Sequence, residues 1–191
     1  RGYVDRINAQ FSGQIAPRRV KEATLPNNER RRHGELVTAR FTVYRLLSLV
    51  GGEPRRAGEA LLRHGEPEED ALDWLLEFLV RSREALPRYG AMTPPRTKAA
   101  AEAYLLGLRT RKFNQRVLVA GRPAPAAMSI PDDYCHYSEP RTLSVREMAR
   151  IQGFPDNFVL KGAPTTGGSR RAVTVPQYTQ VGNAVPPLPG L

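Results

Sequence analysis

Two groups of residues in this sequence have side chains and spacings that could do chemistry. The first is the pair Cys135–His136, since a thiol beside an imidazole can act as a nucleophile. Adjacent side chains rarely align and no third orienting group is evident, so we predict a packed or loop thiol and keep the nucleophilic pair as the alternative. The second group is a series of cations within fourteen residues: Arg109, Arg111, Lys112, Arg116 and Arg122.

The cationic series stands beside Phe113 and Asn114, a mixture that suits a loop reading a DNA groove. The whole chain favours a nucleic-acid partner, since 29 Lys and Arg face 19 Asp and Glu, a net charge of +10. Arg170 and Arg171 are further candidates for DNA contact. A solvated helix end and hairpin, or a basic surface without a partner, are the alternatives.

Composition excludes several classes of protein. No apolar run approaches the roughly 18 residues that a transmembrane helix needs, so we expect no membrane contact. A single cysteine excludes an intrachain disulfide framework and a multi-cysteine metal site, and favours a reducing, cytoplasmic setting. His33 and His64 lack partners at metal-ligand spacing. The first residue is not methionine, which fits either processing or a longer polypeptide.

The elements that must position these residues begin after a basic, irregular arm over residues 1–33. The stretch GELVTARFTVYRLLSLV predicts a helix that ends at GGEP. Its apolar face is expected to be Leu36, Val37, Phe41, Tyr44, Leu47 and Leu49. Next, EPEEDALDWLLEFLVRSREALP has acidic residues in its first turn and arginines in its last, which predicts a second helix. We expect its buried stripe to be Trp74, Leu75, Phe78 and Leu79.

The second half of the chain has shorter elements. A third helix is predicted to begin at Thr93 with Pro94 and Pro95, and a short strand to cover 116–120. Ser144 and Glu147 have the spacing of a capping box, so SVREMARIQ should be a short helix closed by Gly153 and Pro155. A glycine-rich turn, a strand and a turn at Gly182–Asn183 should follow. The expected fold class is therefore α+β, mostly helical up to residue 108.

The segment EPRTLSVREMARIQGFPDNF, followed by VPQYTQVGNAVPP, resembles the last two signature motifs of the cytosine-5 DNA methyltransferases, in the family's order. The two motifs lie within residues 139–187, about a quarter of the chain. Their matching positions include Arg141, Ser144, Arg146, Glu147, Arg150, Gln180 and Gly182. The arginine-rich segment precedes them, where the family keeps its variable target-recognition domain.

The resemblance implies a division of labour along the chain. In the family, a large Rossmann-type domain binds S-adenosylmethionine, a smaller domain reads double-stranded DNA, and the chain returns to the large domain at its end. Residues 1–33 would then be an arm or linker, 34–130 the recognition region, and 131–191 the motifs that return to the catalytic domain. The capped helix would brace the recognition domain, with Arg146 and Arg150 in internal salt links. Asn183, Ala184 and Val185 would contact S-adenosylmethionine.

The sequence departs from the family where catalysis is concerned. The family's nucleophile is a cysteine in a Pro-Cys context and its acid a glutamate in Glu-Asn-Val, and neither occurs here. Cys135 follows a tyrosine, and its place in the order of motifs is wrong. The glycine-rich cofactor loop is also absent.

The resemblance therefore implies a chain that is inactive alone and completes an N-terminal catalytic half, either in the same polypeptide or as a separate subunit. The setting would be restriction-modification in the bacterial cytoplasm, associated with the nucleoid. A non-enzymatic DNA-binding remnant or regulator is the alternative, and a helical protein-interaction module over 34–108 is a third. Without a large domain, Val181, Val185 and Leu188 should be exposed.

Overall fold

The computed structural model describes residues 25–63, 65–66, 69–112, 115–126, 129–166, 170 and 173–185. Over these residues the chain divides into two units. A helical unit covers 32–122 and 133–141, and a C-terminal unit covers 25–31, 123–132 and the residues from 142 onward. The described part is rich in helix and has one two-stranded sheet, so the expected mixture of α and β is confirmed.

The helical unit opens with two helices that meet at a pair of glycines. Helix α1 is Glu35–Val50, and helix α2 is Gly52–Leu62. Gly51 and Gly52 have φ of 68° and 61°, a conformation that glycine adopts readily. The end of α1 at GGEP is confirmed, whereas α2, which begins within that stretch, was not predicted from the sequence. Pro54 lies in the first turn of α2, where its missing N–H costs no hydrogen bond.

The buried face of α1 differs in part from the predicted one. Phe41, Tyr44 and Leu47 are buried as expected, together with Val43. Leu36 and Leu49, which we placed on the same face, are 42% and 80% exposed. The predicted stripe was therefore too broad.

Helix α3, Glu69–Arg81, is the helix that the acidic start and basic end predicted. Leu75, Leu76 and Leu79 are its buried residues. Trp74 is 46% exposed and stacks on Phe78 with ring centroids 5.4 Å apart, so its assignment to the core was wrong. The 3₁₀ turn Arg83–Ala85 follows the helix.

Helix α4, Lys98–Gly107, begins later than predicted. Thr97 is its N-cap, and the Thr97 hydroxyl accepts a hydrogen bond from the N–H of Ala100. The start at Thr93 was wrong, since the prolines lie in the loop before the helix. Buried side chains from α1 to α4 and Cys135 form one core cluster.

The sheet is shorter than expected. Strand β1, Arg116–Val117, pairs in parallel with β2, Tyr134–Cys135, with Arg116 opposite Tyr134. The predicted strand over 116–120 therefore exists only in its first two residues. Both strands belong to the helical unit.

The C-terminal unit contains helix α5, Val145–Ile151, and helix α6, Gln177–Asn183. Val145, Met148 and Ala149 of α5 pack with residues of α6 in a second core cluster. The predicted turn at Gly182–Asn183 was wrong, because both residues lie within α6. In the stretches of 159–185 that are described, we find no strand either.

Exposure of the apolar tail is confirmed only in part. Val181 is completely buried, which contradicts our expectation, whereas Val185 is 82% exposed as predicted. Leu188 lies outside the described residues. No helix in the described ranges is long and apolar enough to cross a membrane.

Candidate functional site

The capped helix α5 forms as the sequence predicted. The Ser144 hydroxyl accepts a hydrogen bond from the N–H of Glu147 at 3.1 Å, and the Glu147 carboxylate accepts one from the N–H of Ser144 at 2.7 Å. This reciprocal pair satisfies two amide groups that the first helical turn leaves open. Gly153, with φ of 82°, follows the helix, as expected of a helix-ending glycine.

Arg146 is the largest fully buried side chain of the described residues, and it lies at the centre of the C-terminal unit's polar contacts. Its guanidinium donates to the backbone carbonyls of Pro26 and Pro155 at 3.0 Å and also to that of Phe158. We expected a salt link here, but the guanidinium instead bonds to carbonyl groups of two separate chain segments, at Pro26 and at 155–158. Burial lowers the pKa of Arg146, and the nearby Asp156 carboxylate opposes that shift.

Arg150 makes the salt link that we expected. Its guanidinium contacts both carboxylate oxygens of Asp156, at 2.8 and 3.0 Å. In the helical unit, Arg141 forms a comparable pair with Glu139 at 2.9 Å. The arginines of the first motif are therefore engaged within the protein, which is consistent with a bracing role.

A short segment around Asn27 is part of the same arrangement, and our sequence reading did not identify it. The Asn27 side chain donates to the carbonyl of Leu160 at 2.8 Å and accepts from the N–H of Leu160 at 2.9 Å, as a neighbouring strand would. Asn28 accepts a hydrogen bond from the Ser144 hydroxyl. Asn27 has φ of 63°, a conformation in which asparagine is enriched. The paired asparagines after a proline were the available signal.

The residues predicted to contact the cofactor lie at the end of α6. Asn183 and Val185 are exposed, and Ala184 is half-buried. Gln152 holds this end of the helix by donating to the carbonyls of Val181 and Ala184, both at 3.1 Å. Gln152 lies in the first motif, but its contacts with the end of α6 could be recognised only from the tertiary structure.

Gln180 supports the start of α6. Its side-chain amide donates to the carbonyls of Lys161 and Val175 at 3.0 and 2.9 Å. Glutamine side chains therefore anchor α6 near both of its ends. At the end of α6, the exposed carboxamide of Asn183 and the exposed apolar side chain of Val185 are available for a ligand.

The predicted DNA-binding cations have different environments. Arg109 is half-buried, and its guanidinium donates to the carbonyl of Leu61 at 3.0 Å, so it is partly engaged within the fold. Exposed positions are occupied by Arg111, Lys112, Arg116, Arg122 and Arg170. Phe113, Asn114 and Arg171 lie outside the described residues. The exposed cations have the accessibility that phosphate contact requires.

Cys135 is a packed thiol, as we predicted. It is 2% exposed, and its thiol lies 3.6 and 3.7 Å from the carbonyl oxygens of His136 and Glu139, to which it donates. Burial raises the pKa of Cys135 to about 12. The His136 Nδ1 accepts hydrogen bonds from the N–H groups of Ser138 and Glu139, so this ring nitrogen is engaged with the backbone. These contacts contradict the nucleophilic alternative.

A metal site is not found among the described residues, where no group of three His, Cys, Asp or Glu side chains is placed to hold an ion.

Comparison with known proteins identifies the family. The model of the C-5 cytosine-specific DNA methylase family matches residues 58–189. Type II methyltransferase M.Bpa9945I of Bacillus paralicheniformis is 58% identical over 48 residues, which are 25% of this chain and 8% of that protein. Type II methyltransferase M.DdeI of Desulfomicrobium norvegicum is 41% identical over 68 residues, covering 35% and 16%. No solved structure gives a significant match.

In a third relative, the match covers a larger share of both chains. Type II methyltransferase M.AquIB of Picosynechococcus sp. is 40% identical over 87 residues, which are 44% of this chain and 63% of that protein. The matched part is thus less than two thirds of each of these three relatives. Since 87 residues already make up 63% of M.AquIB, that relative is a shorter chain than this one.

Proposed function

This chain belongs to the C-5 cytosine-specific DNA methylase family, and from that premise we propose that it is the C-terminal part of a cytosine-5 DNA methyltransferase. Enzymes of this family are transferases that act on DNA and use S-adenosylmethionine. In our proposal the chain binds double-stranded DNA and completes the S-adenosylmethionine pocket. The nucleophile and the main cofactor loop belong to an N-terminal catalytic half, in the same polypeptide or in a separate subunit.

One observation carries this proposal. The family model extends to residue 189 and includes both C-terminal motifs, yet the 191 residues contain no Pro-Cys and no Glu-Asn-Val. The only thiol, Cys135, is buried and hydrogen-bonded to carbonyl groups. Covalent activation of cytosine needs an accessible thiolate, which this chain does not supply. The M.AquIB relative supports the version with a separate subunit, since 87 residues already make up 63% of that protein.

S-adenosylmethionine, when bound, supplies the methyl group. Residues of this chain that would help to hold it are Asn183, whose exposed carboxamide can donate and accept hydrogen bonds, and Val185, whose exposed side chain can cover an apolar part of the ligand. They fit the edge of such a ligand. Gln152 and Gln180 would position them, since they bond to the backbone at or beside α6.

We further propose that residues 34–130 form the recognition region and that residues 131–191 return to the catalytic domain. Exposed Arg111, Arg116 and Arg122 are the candidates for DNA contact that best combine charge with accessibility. The setting would be a bacterial restriction-modification system in the cytoplasm, close to the nucleoid.

The test combines two measurements on the 191-residue chain. We expect binding to a double-stranded oligonucleotide by fluorescence anisotropy, and an affinity that falls steeply with salt. Transfer of tritiated methyl groups from S-adenosylmethionine to DNA should be absent for the chain alone. It should appear when an N-terminal half with Pro-Cys and the glycine-rich loop, encoded upstream or beside this chain, is added.

Two results would separate the alternatives. DNA binding without any methyl transfer, even beside the catalytic half, would favour a non-enzymatic DNA-binding protein derived from a methyltransferase. The absence of both DNA binding and restored transfer would refute the proposal. The variant Asn183→Ala should weaken S-adenosylmethionine binding to the reconstituted enzyme while DNA affinity of the chain alone stays unchanged.

A further inference from the structure

We propose that a cleft in the helical unit, lined by Arg83, Arg88 and Arg96, binds a backbone phosphate of DNA. The inference rests on the proposed function, because it names a contact surface for the same DNA. It concerns residues outside the arginine-rich segment 109–122. The cleft has a volume of about 360 Å³ and also contains Thr93 and Glu84.

The backbone brings the three arginines together from separate positions. Arg83 begins the 3₁₀ turn after α3. Arg88 precedes, and Arg96 follows, a turn that is closed by two hydrogen bonds between Tyr89 and Met92, with N–H to carbonyl distances of 3.2 and 2.9 Å. This turn reverses the chain, so that both of its flanking segments line the same cleft.

The loop under the arginines is anchored by buried side chains. The Tyr89 hydroxyl donates to the carbonyl of Tyr104, and the Tyr104 hydroxyl donates to the carbonyl of Pro87 at 2.6 Å. The two rings meet edge to face at 4.9 Å. Leu86 is buried as well. The backbone beside Arg88 is therefore fixed before any ligand arrives, which lowers the entropic cost of binding.

The charges in the cleft are available for a ligand. Arg83, Arg88 and Arg96 are exposed, and the described residues provide no ion-pair or hydrogen-bond partner for their guanidinium groups. On α2 the situation is the opposite, since Arg55 pairs with Glu59 and Arg56 with Glu53. The cleft lining thus carries three positive side chains against the one carboxylate of Glu84.

A phosphodiester is the ligand that best fits this lining. Guanidinium groups bind phosphate oxygens through paired N–H donors, and the Thr93 hydroxyl adds a further possible donor. Five of the seven lining residues are polar or charged, and the other two are Leu86 and Pro94, which does not suit an apolar ligand. In a chain of net charge +10, the polyanion DNA is the partner that supplies phosphates at close spacing.

The test compares two double variants of the full chain that each remove two positive charges. Arg88→Ala/Arg96→Ala removes two of the three arginines of the cleft, and Arg55→Ala/Arg56→Ala is the matched control on α2. DNA affinity is measured by anisotropy over a range of salt in phosphate-free buffer, with two oligonucleotides of unrelated sequence. We expect the cleft variant to lose about tenfold in affinity and to reduce the salt slope by about 1 to 2, on both sequences. The control should keep the wild-type slope.

Every outcome bears on the proposal. Equal losses in the two variants would show a general charge effect and overturn it, as would a loss on one sequence alone, since that indicates base readout. The wild type and the cleft variant could also bind DNA equally well in phosphate-free buffer and differ only when inorganic phosphate is added. In that case the cleft binds the free ion and not DNA. Failure of the wild type to bind DNA would instead refute the proposed function itself.

A charge-conserving variant, Arg88→Lys/Arg96→Lys, keeps the test informative if the alanine variant folds poorly. It retains both positive charges and loses only the forked geometry. We expect an affinity between those of the wild type and the alanine variant, with circular dichroism unchanged. A folded Arg88→Gln/Arg96→Gln variant is measured as well. The assignment would be overturned if both this variant and the lysine variant bound DNA as tightly as the wild type does.

Discussion

Replacing Arg146 by methionine keeps most of the side-chain volume and removes every hydrogen bond of the buried guanidinium. Three backbone carbonyls, of Pro26, Pro155 and Phe158, each lose a donor, although that of Pro155 still accepts from the N–H of Phe158. A buried polar group left without a partner costs about 1–3 kcal/mol. Partial relaxation and entry of water reduce the sum, so we expect the C-terminal unit to be destabilised by about 3–5 kcal/mol, a large share of the ~5–15 kcal/mol of a typical domain.

The assay should report on the C-terminal unit specifically. Hydrogen exchange read by mass spectrometry, at increasing urea, follows peptides within 142–166. Trp74 is the only tryptophan and lies in the helical unit, so its fluorescence follows the other unit in the same samples. We expect early exchange of the C-terminal peptides in the variant.

The matched control is Arg150→Met, on the same helix. Arg150 pairs with Asp156 and its side chain is 32% exposed, so solvent screens the interaction and its loss should cost about 1 kcal/mol or less. A destabilisation of the Arg146 variant within about 0.5 kcal/mol of the control would refute the reasoning, because the carbonyl contacts would then contribute little.

Three further predictions follow from buried groups. Gln152→Ala should release the carbonyls of Val181 and Ala184, cost about 1–2 kcal/mol, and weaken S-adenosylmethionine binding by the reconstituted enzyme more than DNA binding. Tyr178→Phe removes a buried hydroxyl that donates to a main-chain carbonyl at 2.6 Å, and urea unfolding should show a loss of about 1 kcal/mol. The pKa of Cys135 is raised to about 12 from 9.0, so its contribution to stability is complete below pH 9 and is lost as the pH rises toward 12.

Each of these predictions has a result that contradicts it. For Gln152→Ala it is equal loss of cofactor and DNA affinity, which would indicate general unfolding. For Tyr178→Phe it is unchanged stability. For Cys135, one contradicting result is that iodoacetamide alkylates the thiol at pH 8 as fast in the folded chain as in urea. The other is that a Cys135→Ser variant loses as much stability between pH 9 and 11 as the wild type does.

The predictions that succeeded depend on signals within a few residues. The Ser144–Glu147 capping box and the charge pattern of α3 are local, since the groups involved lie within one or two helical turns. The packed state of Cys135 was also predicted, because the side chains of adjacent residues such as His136 rarely align and no third orienting group is evident.

The predictions that failed needed information from distant residues. Trp74 and Leu76 fit an apolar stripe on α3 about equally well, and the packing of neighbouring helices decided which one is buried. The glycines at 51 and 52 correctly marked the end of α1, but helix α2, which begins at Gly52, was not predicted. For the predicted DNA contacts and cofactor contacts, the structure gives positions and exposure, and their roles stay predictions.

Family membership, the strongly basic character and the absence of a catalytic Pro-Cys are properties of the sequence by itself, because each is a matter of residue identity and order. The tertiary structure decided what the polar residues of the motifs contact. Arg146 bonds to carbonyls as far as 120 positions away, and Asn27 contacts Leu160 across 133 positions. Local preference cannot encode such contacts, because they exist only once distant segments have packed and buried polar groups must find partners.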